Sequence, residues 1–141
     1  MLNNAQKRSL SITLRIIEQS LDEIAGLARG EGTHGGTLYR VKNDLSAASR
    51  NEIQTQAQLI RERIAFLAGQ FDLDPDEHMV SSIAEAKLNY CWEILQKEDS
   101  KGLWAFGAVA EGLDEALDPH IAALLELILR LLHDLEKHSL K

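Results

Sequence analysis

The fold is decided most clearly by residues 118–137, which read DPHIAALLELILRLLHDLEK. Apolar residues recur in this stretch at intervals of three and four, the spacing that places side chains along one side of an α-helix. One seam of the predicted helix contains Ile121, Leu125, Ile128, Leu132 and Leu135, and a second seam beside it contains Leu124, Leu127 and Leu131. Asp118 is a suitable N-cap and Pro119 a suitable first helical residue, so the sequence predicts a helix over residues 119–137.

This last helix has more apolar surface than one helix of a bundle needs to bury. Its polar residues form a narrow strip that consists of Glu126, Arg130, His133, Asp134 and Lys137. A helix that is apolar on most sides is either central in its domain or packed against another subunit. The sequence therefore predicts a two-fold homodimer with an interface made of Leu124, Leu127, Ile128, Leu131, Leu132 and Leu135. In the alternative interpretation, residues 38–45 and 103–117 cover the second seam within one chain.

Three further long helices are predicted upstream. Asn3 is a suitable N-cap for the first, and Ser49 and Glu52 form a capping box before the second. Asp74 and Pro75 supply a cap and a first helical residue for the third. The sequence predicts an all-α fold, an antiparallel four-helix bundle in one domain over residues 1–141, with helices at about 4–28, 50–70, 75–98 and 119–137, a glycine-rich loop at 29–36 and a short extra helix near 109–117.

Composition supports helices and limits the function. The chain has two prolines, 45% of its residues are hydrophobic, and its formal net charge is −7. A general nucleic-acid-binding role requires a positive field, so no nucleic acid is expected as a partner. The single cysteine, Cys91, cannot form an internal disulfide, which fits a reducing cytoplasm. Charged residues interrupt each apolar run, so we expect neither a signal peptide nor a membrane span.

Trp104 and Phe106 form a second candidate surface. They lie between Gly102 and Gly107 in a chain with few aromatic residues. Aromatic side chains between glycines can form a platform for a partner peptide or a ring-shaped ligand. In the alternative, the segment folds back as a plug over the end of the bundle.

One short motif suggests catalysis. Arg29 and His34 are separated by four residues in the segment RGEGTH. This R-x4-H pattern resembles that of the HEPN ribonucleases, which are small, helical and usually dimeric. The resemblance covers six residues and implies that Arg29 stabilises charge on a phosphate while His34 transfers a proton. Here both residues lie in a loop with four glycines.

The spacing of possible metal ligands does not match a di-iron bundle, which requires two Glu-x-x-His pairs on helices. The one such pair is Glu31 and His34, which lies in the glycine-rich loop. His133 and His138 are five residues apart, so they point about 140° apart on a helix and cannot readily share one ion. We therefore expect no metal and no cofactor.

These patterns together favour a non-catalytic cytoplasmic protein that acts by association. We expect it to form a homodimer through the last helix and to present Trp104 and Phe106 to an unidentified protein partner. Two alternatives remain open. One is a small HEPN-like ribonuclease that uses Arg29 and His34, and the other is a helical-bundle carrier of a metal or ligand.

Overall fold

The computed structural model describes residues 1–31 and 35–139, and its regular elements over these residues are all helical. The elements are α1 (Asn4–Ala28), α2 (Ala47–Gln70), α3 (Val80–Leu95), α4 (Ser100–Leu103), a 3-10 turn (Trp104–Phe106) and α5 (Leu113–Ser139). The predicted all-α class is confirmed. The chain divides into two compact units, Met1–Pro75 and Asp76–Lys141.

In the first unit, α1 packs against α2. The bounds predicted for α1 are confirmed, and so is its N-cap. The side-chain oxygen of Asn3 accepts a hydrogen bond from the backbone N–H of Gln6 at 2.8 Å, and the Gln6 side chain accepts from the Asn3 N–H at 2.9 Å. This reciprocal pair satisfies two N–H groups that the helix itself leaves unpaired.

The last turn of α1 is held by amide side chains from elsewhere in the unit. Asn43 donates to the carbonyl of Ala28 at 3.0 Å, and Gln54 of α2 donates to the carbonyl of Ala25 at 3.0 Å. The Arg29 N–H also donates to the Ala25 carbonyl at 3.1 Å, so the side-chain bonds supplement the backbone bonds at the end of α1, where the last carbonyls lack the usual helical donors. The two side-chain bonds also join α1 to the start of α2 and to the irregular segment before it.

The start of α2 differs from the prediction. The helix begins at Ala47 rather than near residue 50, and its N-cap is Ser46. The hydroxyl of Ser46 accepts from the backbone N–H of Ser49 at 3.1 Å, so the predicted cap, Ser49, is already inside the helix. Two hydroxyl residues three apart offered alternative caps, and the earlier one adds a turn of helix.

In the second unit, α3 packs against α5. The predicted start of α3 at Pro75 is wrong, because the helix begins at Val80 after an N-cap, Met79, that makes no side-chain capping bond. Residues 76–79 are exposed, so they bury little apolar surface. A favourable cap and proline are weak local signals, and without tertiary packing they do not offset the entropy lost when those residues become helical.

The predicted start of α5 is also wrong. The helix begins at Leu113, includes Pro119 in its interior and absorbs most of the short helix predicted near 109–117. Gly112 has a φ of 85°, a left-handed conformation that glycine adopts easily and that separates α5 from the preceding segment. Asp118 therefore lies inside α5 and does not cap it, and its carboxylate instead accepts from Ser100 at the start of α4.

Little side-chain volume is fully enclosed within either unit. The buried hydrophobic residues among those described are Ala25, Ala28, Ala57, Ile64 and Ile121, and no large side chain in this part of the chain is completely buried. Two helices in contact bury only the seam between them, so the apolar side chains beside that seam stay exposed. None of the described helices is long and apolar enough to cross a membrane.

Candidate functional site

The site is built on the two neighbouring apolar seams of α5. Ile121 in the first seam is buried, and the other members of this seam are partly buried because α3 packs against α5. Those other members are Leu125, Ile128, Leu132 and Leu135. The first seam is therefore largely covered within the unit.

The second seam remains uncovered in the unit that contains it. Leu124, Leu127 and Leu131 are 48%, 57% and 49% exposed. We call these three residues the exposed seam. The structure thus divides the six predicted interface residues into this exposed group and a group, Ile128, Leu132 and Leu135, that already contacts the interior of the unit.

A groove continues the exposed seam toward α3. Its volume is about 320 Å³ and it is lined by Cys91, Ile94, Leu95, Glu98, Leu124 and Ile128. Most of this lining is apolar, and Ile94 is itself exposed. The predicted interface lacks this contribution of α3, although Ile83, Tyr90 and Ile94 recur at helical spacing and all remain exposed.

The other flank of α5 has a different character. A groove of about 330 Å³ is lined there by Glu85, Asn89, Leu129, Leu132, His133 and Glu136. Leu129 is 49% exposed, like the leucines of the exposed seam, but the other lining residues apart from Leu132 are charged or polar. The α3–α5 pair thus has one apolar flank and one polar flank.

The Trp104–Phe106 turn is held in place by α4. The backbone N–H and the hydroxyl of Ser100 each donate to the Asp118 carboxylate of α5, both at 2.7 Å. Asp99 caps α4 by accepting from the N–H of Gly102 at 2.8 Å. These bonds fix the short helix that leads directly into the aromatic turn.

The two predicted aromatic residues of this turn are exposed. Trp104 is 64% exposed and Phe106 is 85% exposed. Trp104 borders a groove of about 500 Å³ whose other lining residues are Ser100, Lys101, Val109 and Asp114. This turn therefore presents aromatic surface, while the α4 residues beside it anchor it to α5.

Of the two residues in the ribonuclease-like pattern, His34 lies outside the described residues. Arg29 directly follows α1 and makes local contacts. Its Nε donates to Glu31 Oε1 at 3.2 Å, and its Nη1 donates to Gln54 Oε1 at 3.0 Å. A carboxylate beside the guanidinium competes with any phosphate, so these contacts do not resemble a prepared anion site.

Within the part of the chain that the structure describes, no group of three or more His, Cys, Asp or Glu side chains is arranged to hold a metal ion. Cys91 is a free, exposed thiol on the α3 side of the apolar groove. Neither observation assigns a reaction to the site. The surface is suited to apolar contacts.

Comparisons with protein-family models, curated proteins and solved structures find no match to this chain.

Proposed function

We propose that the protein acts by association and without catalysis, as a homodimer that buries the exposed seam of α5. The observation that carries the proposal is that Leu124, Leu127 and Leu131 remain about half exposed although α3 already packs on the same helix. Three leucines along one side of a helix, with an apolar groove beside them, form the kind of continuous surface that helices bury against one another.

The groove between α3 and α5 supports the same proposal. It extends the apolar surface from Leu124 to Ile94, so an incoming helix meets a concave surface rather than an isolated ridge. Interface energy is concentrated where large side chains enter such pockets. A second copy supplies leucines of matching size from its own α5.

The experiment is sedimentation velocity over a range of protein concentrations, with Leu127→Glu as the test variant. The charge placed in the exposed seam should shift the protein from dimer to monomer, because burying an unpaired carboxylate is costly. Leu129→Glu is the matched control. It changes an equally exposed leucine of α5 that lies among the polar residues of the other flank, so it should leave the dimer intact.

The outcome that contradicts the proposal is a wild-type chain that sediments as a monomer at high micromolar concentration. Equal loss of dimer in both variants would also contradict it, because the loss would then not depend on the exposed seam. Circular dichroism of each variant establishes that the helices remain formed.

The proposal includes two finer predictions from the sequence, the antiparallel four-helix bundle and a cytoplasmic location. The bundle is supported by four long helices in the predicted order, with α1 packed on α2 and α3 packed on α5. The location is supported by the single unpaired cysteine. A further protein partner at Trp104 and Phe106 also remains a proposal, and the exposure of both rings supports it.

A further inference from the structure

We infer that the two copies of α5 pair antiparallel about Leu127, so that His120 of each copy binds Asp134 of the other. This inference rests on the proposed homodimer and specifies its geometry. The occupant of the exposed seam is then the same seam of a second copy, running in the opposite direction.

The exposed seam continues at both ends into polar residues. Along α5 the positions at alternating intervals of four and three are His120, Leu124, Leu127, Leu131 and Asp134. All five side chains are exposed. This alternation is the one that keeps a line of residues directed at a neighbouring helix. The line is apolar in the middle and has a histidine at one end and a carboxylate at the other.

The order of these residues is self-complementary only when the helices are antiparallel. His120 lies seven positions before Leu127, and Asp134 lies seven positions after it. Reversal about Leu127 therefore brings the histidine of one copy to the carboxylate of the other at both ends of the contact. A parallel pair would place each Asp134 opposite its own counterpart, and like charges that face each other across an interface disfavour it.

The two polar side chains are free to make this contact. Among the described residues, neither His120 nor Asp134 has a side-chain hydrogen bond or ion pair, whereas Glu126 of the same helix accepts from Arg130 at 2.9 Å. A histidine ring has at least one N–H in either protonation state and can donate to a carboxylate. The leucines then supply affinity, and the polar ends select the direction of the partner helix.

The first test changes the side chains at the two ends of the line, His120 and Asp134. In sedimentation equilibrium at low salt, His120→Glu should weaken the dimer on the order of ten-fold, because it places two carboxylates together at both ends of the contact. Asp134→Lys removes the acceptor of the His120 N–H at both ends and should weaken the dimer on the order of three-fold. The double variant restores opposite charges at both ends, so its Kd should return to within about three-fold of the wild-type value. Glu126→Lys, on another side of α5, is the control and should leave the Kd unchanged.

The second test measures proximity in a Cys91→Ala background. Leu124 lies three positions before Leu127 and Leu131 four positions after it, so antiparallel pairing brings them together. An equimolar mixture of Leu124→Cys and Leu131→Cys chains should form a disulfide-linked dimer under mild oxidation. Leu124→Cys alone should not, because its two copies are offset by about 9 Å along the helix axis.

Different results distinguish the homodimer itself from the antiparallel geometry inferred for it. One such result is that Leu127→Glu dissociates the dimer while neither single charge variant raises its Kd, and another is that it does so while the Kd of the double variant does not return toward the wild-type value. In either case the antiparallel pairing is wrong and the homodimer stands. Rapid cross-linking of Leu124→Cys to itself would indicate a parallel pair and also overturn the inference. A monomeric wild-type chain would overturn the homodimer itself.

Discussion

Removal of the Asp118 carboxylate should destabilise the second unit substantially. In the structure this one side chain accepts two hydrogen bonds from Ser100, one from the backbone N–H and one from the hydroxyl, each at 2.7 Å. Both are partly buried. Asp118→Ala removes the acceptor for both donors and separates α4 from the helix that anchors it.

The size of the effect follows from these contacts. A hydrogen bond to a charged group contributes about 1.5–3 kcal/mol to the free energy of unfolding. Partial exposure allows water to replace part of each bond, so the expected loss for the pair is about 2–4 kcal/mol. For a chain of this length about 3 °C of melting temperature corresponds to 1 kcal/mol, and the expected fall is roughly 6–12 °C.

The measurement is thermal unfolding followed by far-UV circular dichroism. Ser100→Ala should lower the melting temperature about half as much as Asp118→Ala does, because the backbone N–H of residue 100 still donates to the carboxylate. Asp114→Ala is the control, since this exposed residue in the first turn of α5 contributes only through the helix dipole, about 0.3–1 kcal/mol. A melting temperature of Asp118→Ala equal to that of Asp114→Ala would refute the reasoning.

Three further predictions concern single residues. Gly102→Ala should lower the melting temperature by about 3–9 °C, because a Cβ there would overlap the carbonyl of Lys97, an overlap that costs about 1–3 kcal/mol to relieve. Gly69→Ala should instead raise it slightly, since a Cβ at that helical position meets nothing within 4 Å. Trp104→Ala should change the free energy of unfolding by about 1 kcal/mol or less in urea unfolding, because the ring is mostly exposed; a loss of several kcal/mol would place the ring in the core.

The parts of the fold that the sequence predicts well are those set by neighbouring residues. The bounds of α1 follow from its regular spacing and from Asn3, whose cap partner lies within one turn. The start of α5 could not be found in this way. Asp118 has the residue type and position of an N-cap, but its carboxylate binds Ser100, which lies 18 residues earlier in the chain. Which donor reaches a carboxylate depends on tertiary packing, and local sequence does not encode it directly.

The same distinction applies to the candidate site. Spacing along α5 predicts its two seams, because both depend on one helix period. It does not say which seam α3 covers, so the predicted interface combines Ile128, Leu132 and Leu135 with the three exposed leucines. The groove at Ile94 was missed for the same reason, since its existence depends on the neighbour of α5 rather than on the period of either helix.

The scarcity of fully buried side chains links the stability of the proposed dimer to protein concentration. Because no large side chain in the described chain is completely buried, each one contributes only part of the hydrophobic stabilisation that full burial would give. In the proposed dimer, subunit assembly supplies the missing burial, and mass action then links the folded fraction to total protein concentration. A cell that lowers expression would therefore expose the same leucines to proteases and chaperones, so synthesis rate would control both the amount of the protein and its lifetime.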